Sequence, residues 1–456
     1  STKSMEGLPS AGIKFCRWSR YRSAGQHLRN THRRDRIYKI EDGIEELNNQ
    51  ALQEKTSEVS KDTNSELPAK KTRKRKKGSK SGIIINSTFP SEIDFNHPYR
   101  QVIMAIKTKP FLLITGMCGT GKSRFARTLA YQTCPKYLQE DGIPGNFQMI
   151  AVQPEWSDST ELLGWLTLQG TYKFTPFLHF LIKSWRYTDT PFILCLDEVN
   201  LAKVEQYFAD FLSIIESRQW INNEFASDAF ISGSQMKFYS DRDPNMWERI
   251  GLKLDSGLQN SFLSHGIRLP PNLIVIGTAN MDDAGQRFST KLLDRVSVLE
   301  MNEIDFYAGI RSDDVALKFP ATPISNDKIL GRLLSGKDAY TLSPQNGDLI
   351  ISELQALNKI FTGTSFRFGY RVRDASLIYC AYNSQLSGNP NTKETIYKCL
   401  DEIILMKILP RISGEAAKKV IDSLLRFTKL KYTRSYQRIL LMQSESNEYF
   451  GISFWQ

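Results

Sequence analysis

The chain has 456 residues, 41% hydrophobic and 24% charged, which suits a globular protein of two or three domains, each with its own core. No run of eighteen apolar residues occurs, so a membrane-spanning helix is excluded, and the opening Ser-Thr-Lys leads into no secretory-type apolar segment. Cys16, Cys118, Cys134, Cys195, Cys380 and Cys399 form no C-x-x-C pair and no zinc spacing, and read as reduced thiols of a cytoplasmic protein. The missing initiator Met points to a processed or excised chain, with a further domain expected upstream.

The net charge of +11 is local. Residues 1–80 hold 20 Lys+Arg against 10 Asp+Glu, leaving 40 against 39 for the rest, so the body is close to neutral. The run Lys70–Lys80 is dense enough to attract phosphates by counterion release, and equally suits a solvated linker or a nuclear-localisation string. Residues 1–85 are expected to be a basic, mostly disordered arm with one short helix around Glu41–Lys55.

From Ile83 the pattern becomes that of an ordered domain. A helix over His97–Thr108, stopped by Pro110, precedes the apolar run Phe111–Thr115, of the type buried in parallel sheets. A Gly-rich turn and an apolar-periodic helix over Ser123–Tyr131 follow. Phe192–Leu196, Leu273–Gly277 and Val296–Met301 repeat the buried-strand pattern. Strands alternating with helices predict a parallel α/β domain over residues 86–304. Residues 305–345 read as a connector. Residues 346–456 read as a smaller helical domain, with helices over Asp348–Phe361, Arg373–Asn383, Lys393–Ile408 and Gly414–Phe427. The closing Tyr449–Trp455 suits an edge strand or a packing tail.

The turn after the first strand reads Gly116-Met117-Cys118-Gly119-Thr120-Gly121-Lys122-Ser123, a complete G-x-x-x-x-G-K-[ST] between a strand and a helix. Its glycines let backbone N–H groups curl around phosphate oxygens, and the helix N-terminus adds positive potential. Lys122 is expected on the β- and γ-phosphates and the Ser123 hydroxyl on Mg²⁺. Asp197 and Glu198 end a buried strand, where α/β folds bind ligands; Asp197 is expected to hold Mg²⁺ and Glu198 to deprotonate the attacking water. Asn280, just past the next strand, is a candidate for the γ-phosphate or lytic water, or else a turn former. Arg295 ends a helix immediately before a strand. It reads as a cation offered in trans to a neighbouring subunit's nucleotide, or as an exposed Arg paired with Asp294.

In order, these features resemble AAA+ NTPases, and within them the McrB family, the motor of modified-DNA restriction systems. The resemblance runs over about residues 95–430 and is carried by Val152–Trp156, Glu161–Trp165, Thr175–Leu178, Leu196–Glu205, Gly277–Asn280 and Lys407–Ile412. It implies a parallel P-loop sheet followed by an all-helical lid. Asn280 takes the sensor position and Arg295 the arginine-finger position. Arg371 takes the lid-sensor position, with Arg367 and Arg373 close by. Leu163 to Tyr172 resembles a hairpin inserted in the second helix. The family signature after the third strand, Met-Asn-Thr-Ala-Asp-Arg-Ser, is replaced by Ala279-Asn280-Met281-Asp282-Asp283-Ala284-Gly285. The implied function is an Mg²⁺-dependent NTPase, with ATP favoured over GTP. It would assemble into a ring, expected as a hexamer, and power a DNA restriction or phage-defence complex with a separate McrC-like nuclease subunit. DNA would be met through the basic arm or an upstream domain. The alternative is a MoxR-like AAA+ chaperone that remodels protein complexes.

Overall fold

The structure is a computed structural model that describes residues 93–281, 288–302, 306, 317–446 and 451–455. The basic arm and its expected helix lie outside the described residues, as do Asp282 and Asp283.

Five strands build one parallel sheet: β1 (Phe111–Gly116), β2 (Phe147–Ala151), β3 (Phe192–Asp197), β4 (Leu273–Asn280) and β5 (Ser297–Glu300), in the order β5-β1-β4-β3-β2. Every neighbouring pair is parallel. All of β1 is buried and only the last residues of β3 and β4 are not, which is why these strands are continuous apolar runs in the sequence. The edge strand β2 alternates between half-buried and exposed positions, so Phe147–Ala151 carries no such run, and the sequence reading does not include it.

Helices cover both faces. α1 (Arg100–Thr108) leads into β1, α2 (Lys122–Thr133) leaves it, and α3 (Pro176–Arg186) and α4 (Ala209–Ile214) flank β3. The Thr175 hydroxyl accepts from Leu178 N, with Pro176 in the first turn, which fixes where α3 begins. Between α4 and β4 the chain inserts an exposed hairpin, Gln219–Ile221 with Glu224–Ala226. Its two turn residues, Asn222 and Asn223, sit at φ +50° and +66°. Then come α5 (Gly233–Arg242) and α6 (Ser256–His265), bracketed by antiparallel pairing of Ala229–Ile231 with Ile267–Arg268. The short α7 (Thr290–Leu293) precedes β5.

The helical region contains α8 (Gly336–Leu342), α9 (Pro344–Ile360), α10 (Tyr370–Ser384), α11 (Lys393–Ile403), α12 (Ile421–Thr428) and α13 (Thr433–Ser444). The expected single helix over Lys393–Ile408 instead ends in a π turn, Ile404–Ile408, and a 3₁₀ turn, Leu409–Arg411. Pro410 lacks the N–H that would continue an α-helix. Gly414–Phe427 is divided into Glu415–Lys418 and α12, while α8 and α13 go beyond the sequence reading. The tail does both things its composition suggested: Ile452–Ser453 pairs with Ser413–Gly414, and Trp455 Nε1 donates to Pro410 O.

Two buried polar contacts tie the helical region to the α/β domain. Arg100 of α1 donates to Asn383 and Glu402, and Tyr379 donates to the second Glu402 oxygen. From the π turn, Lys407 Nζ donates to Val296 O at 2.7 Å, beside the start of β5. Among the described residues no helix is long and apolar enough to cross a membrane.

Candidate active site

Strand register assembles the site. Gly116 lies opposite Asn280, and Leu196 lies opposite Gly277, so the C-terminal ends of β1, β4 and β3 open at one level. This is the edge at which parallel sheets bind ligands.

Gly119 and Gly121 adopt φ +81° and +87°, a left-handed backbone that curls the loop between β1 and α2. Gly116 is required for space as well, because a Cβ there would lie 2.4 Å from Met301 O at the end of β5. Lys122 is nearly buried, and its ammonium donates to Gly116 O at 2.9 Å and Met117 O at 2.8 Å. It therefore lies folded over the loop, with backbone carbonyls where phosphate oxygens would be its partners.

Past the loop, Ser123 Oγ donates to Asp197 Oδ1 at 2.6 Å. Thr278 Oγ1 donates to the same Asp197 oxygen at 2.6 Å and accepts from Glu198 N at 3.0 Å. Glu198 has a left-handed backbone at φ +55°, uncommon for a residue with a side chain, and the Thr278 bond secures it. Asn280 Nδ2 donates to Glu198 Oε1 at 3.3 Å. Ser123, Asp197, Glu198 and Asn280 are thus connected to one another. Thr278, for which the sequence reading had no role, is the link. Its only signal was a hydroxyl inside an otherwise apolar buried strand. Burial pushes Cys195, beneath the two carboxylates, up to about 12, so its thiol stays neutral.

One hydroxyl and one carboxylate, Ser123 and Asp197, converge on a point beside the loop. Mg²⁺ in nucleotide sites is held by few protein oxygens together with phosphates and water, and this donor set fits it.

Arg295 and Arg371 lie elsewhere. Arg295 stands two residues before β5, whose Ser297 pairs with Leu112, and so sits beside the N-terminal end of β1. The length of β1, about 20 Å, separates it from the phosphate loop of its own chain. Its Nη1 donates to Lys291 O at 3.0 Å, and its Nε is 3.8 Å from Glu216 Oε1. Arg371 joins it there, with Nε donating to Glu216 Oε2 at 3.2 Å and Nη1 3.7 Å from Asp294 Oδ2. Asp294 pairs with Arg411 and Arg371, not with Arg295. Burial alone would raise the Glu216 carboxyl, but Lys109 and Arg371 outweigh it and hold the group below its usual range. The sequence carried no sign of Glu216, since a lone Glu at a helix end has no motif.

The Leu163–Tyr172 stretch forms the expected hairpin, with Trp165–Leu166 antiparallel to Tyr172–Lys173. Trp165, Leu166 and Leu168 are exposed on it. Tyr172, at its base, stacks on Tyr239 of α5 with ring centroids 4.4 Å apart, and Arg249 donates to Tyr172 O.

Residues 111–296 match a family model described as an AAA domain of the dynein-related subfamily. Residues 327–450 match one described as a domain of unknown function (DUF8727). No curated protein matches the chain. Among solved structures it resembles a Cytophaga hutchinsonii protein described as a "putative ATPase", at 12% identity and TM-score 0.40, covering 78% of this chain and 91% of that one. The chain therefore carries an AAA+ α/β domain followed by a helical lid.

Proposed function

We propose that the chain is an Mg²⁺-dependent NTPase that cleaves the β–γ phosphoanhydride of ATP in preference to GTP, within a ring of identical chains. The observation that carries this reading is the connected set Ser123–Asp197–Thr278–Glu198–Asn280 at the mouth of the phosphate loop. The loop's backbone N–H groups and the start of α2 would bind the phosphates. Lys122 would exchange its two loop carbonyls for β- and γ-oxygens, a swap of comparable hydrogen bonds that needs only a side-chain rotation. Ser123 and Asp197 would hold Mg²⁺, which when bound neutralises charge on the phosphate oxygens. Glu198 takes a proton from water as the water oxygen bonds to the γ-phosphorus and the bond to the β-phosphate oxygen breaks. Asn280 orients the Glu198 carboxylate for that transfer.

The chain has no reach from its own Arg295 to its own loop, and this supports an arrangement in which one copy completes the next copy's site. For the work done, we favour DNA restriction or defence with a separate nuclease subunit, on the strength of the basic run Lys70–Lys80. The exposed apolar hairpin Trp165–Lys173 favours the second reading, a chaperone that grips a polypeptide.

The test is turnover of ATP and GTP side by side, with and without DNA, for the wild type and Glu198→Gln. The wild type should release phosphate faster from ATP. Glu198→Gln should bind the triphosphate and release phosphate at least a hundredfold more slowly, in line with the loss of a general base. Hydrolysis by Glu198→Gln at the wild-type rate would remove Glu198 from the mechanism. Stimulation by DNA supports the restriction reading; indifference to DNA favours the chaperone.

A further inference from the structure

We propose that Glu216 is a positioning residue that yokes Arg295 and Arg371 into one pair of cations, aimed at the triphosphate held by a neighbouring copy of this chain. The inference rests on the NTPase reading above and adds to it a residue outside every motif of the sequence.

Glu216 follows α4, at the end of the sheet opposite the phosphate loop. Its Oε1 accepts from Lys109 at 2.5 Å and lies 3.8 Å from Arg295 Nε, while its Oε2 accepts from Arg371 Nε. One carboxylate therefore touches cations from three parts of the chain: the loop before β1, the end of α7, and α10 of the lid. The charge around it is unbalanced. Lys109, Arg218, Arg295, Arg371 and Arg411 surround, among the described residues, two carboxylates, Glu216 and Asp294.

The hydrogen bonding is incomplete as well. Arg295 Nε is buried and makes no hydrogen bond, although its Nη1 is held by Lys291 O. Arg371 is about half exposed. Two guanidinium groups gathered at one carboxylate, with donor capacity left over and charge uncompensated, make a surface that calls for an anion with several oxygens. The chain's own triphosphate site is too distant to supply it, so the anion comes from another copy. Glu216 holds both forks in place until then, which removes the cost of ordering two long side chains at the moment of reaction.

A merely structural role would be to neutralise Lys109, which is largely buried. Mixed assemblies of the full-length chain separate the two. Lys122→Ala chains cannot bind a triphosphate but still present Glu216, Arg295 and Arg371 to a neighbour. Mixed with Arg295→Ala chains, they should restore turnover; if they do not, the interface reading falls and this proposal falls with it. With that rescue in hand, Lys122→Ala/Glu216→Gln chains should rescue Arg295→Ala at least tenfold less well. Glu216→Gln chains, whose own loop is intact, should regain turnover from Lys122→Ala partners.

Glu216→Gln alone should lose roughly 10- to 100-fold in kcat, the scale of a misplaced catalytic group, with KM for ATP changed by about twofold at most. Should Glu216→Gln fold poorly, Lys109→Met/Lys122→Ala chains keep the question open to measurement. They retain Glu216 with its arginines and should rescue as well as Lys122→Ala. Equal rescue by the Lys122→Ala/Glu216→Gln chains, or loss of rescue in the Lys109→Met chains, would overturn the proposal in favour of the structural pair.

Discussion

Thr278 accepts one hydrogen bond and donates another in a space closed to water, so nothing can replace it when it is removed. Thr278→Val keeps the shape and deletes both bonds. Bonds to charged groups contribute about 1.5–3 kcal/mol, and if that loss falls on the transition state, turnover should drop roughly 10- to 150-fold. Stability should suffer less, because Asp197 keeps its bond from Ser123. Measuring kcat and the melting temperature together checks this; full activity in Thr278→Val would show that Glu198 needs no such anchor. At this scale the sequence was readable where a motif fixes the backbone. Gly116–Ser123, Asp197, Glu198 and Asn280 all lie at one mouth, since each stands at the end of a strand whose register the apolar pattern implies. Arg371 was not readable in the same way. A helix's place relative to the sheet depends on lid packing, which periodicity does not encode, and the structure puts Arg371 beside Arg295 rather than beside its own loop.

The buried strands β1, β3 and β4 were legible because helices cover both their faces, and burial on both sides leaves an unbroken apolar signature. The half-exposed β2 and the π turn were not, for opposite reasons. The strand lacks the apolar run, whereas the turn lies inside helical spacing that continues unbroken into it. That turn carries Lys407 to the start of β5, and burial there drives its ammonium well below the ordinary lysine range, helped by Lys109 and Arg411 and opposed by Glu216 and Asp294. Between the depressed folded value and the unfolded value of about 10.4, the unfolded chain carries a proton that the folded chain lacks. Stability therefore rises with pH across that window. Lys109, also lowered by burial, acts in the same sense. Lys407→Met should flatten the rise without abolishing it, as read by urea unfolding at a series of pH values below the unfolded value of about 10.4. An unchanged slope would mean that Lys407 keeps its proton when buried.

At the scale of the whole molecule, charge divides the chain into a basic arm and a near-neutral body. Deleting residues 1–80 should weaken non-specific DNA binding and flatten its salt dependence while NTPase activity survives. Equal DNA affinity at low salt would make the arm a linker and strengthen the chaperone reading. Composition located this division, but only the folded sheet shows that the cation cluster and the phosphate loop occupy opposite ends of β1. On the proposed reading, each end of such a molecule would supply half of a phosphoryl-transfer site, and hydrolysis would become a property of assembly. In NTPases where it is best measured, an arginine supplied in trans accelerates hydrolysis by roughly 10³–10⁵-fold. The most direct test is phosphate release per chain as the protein is concentrated from well below to well above the assembly threshold, with light scattering under the same conditions. Turnover per chain should climb steeply as rings form, and Arg295→Ala should stay near the dilute value while still binding ATP. A flat rate from a nucleotide-bound monomer, unaltered by Arg295→Ala, would contradict the account.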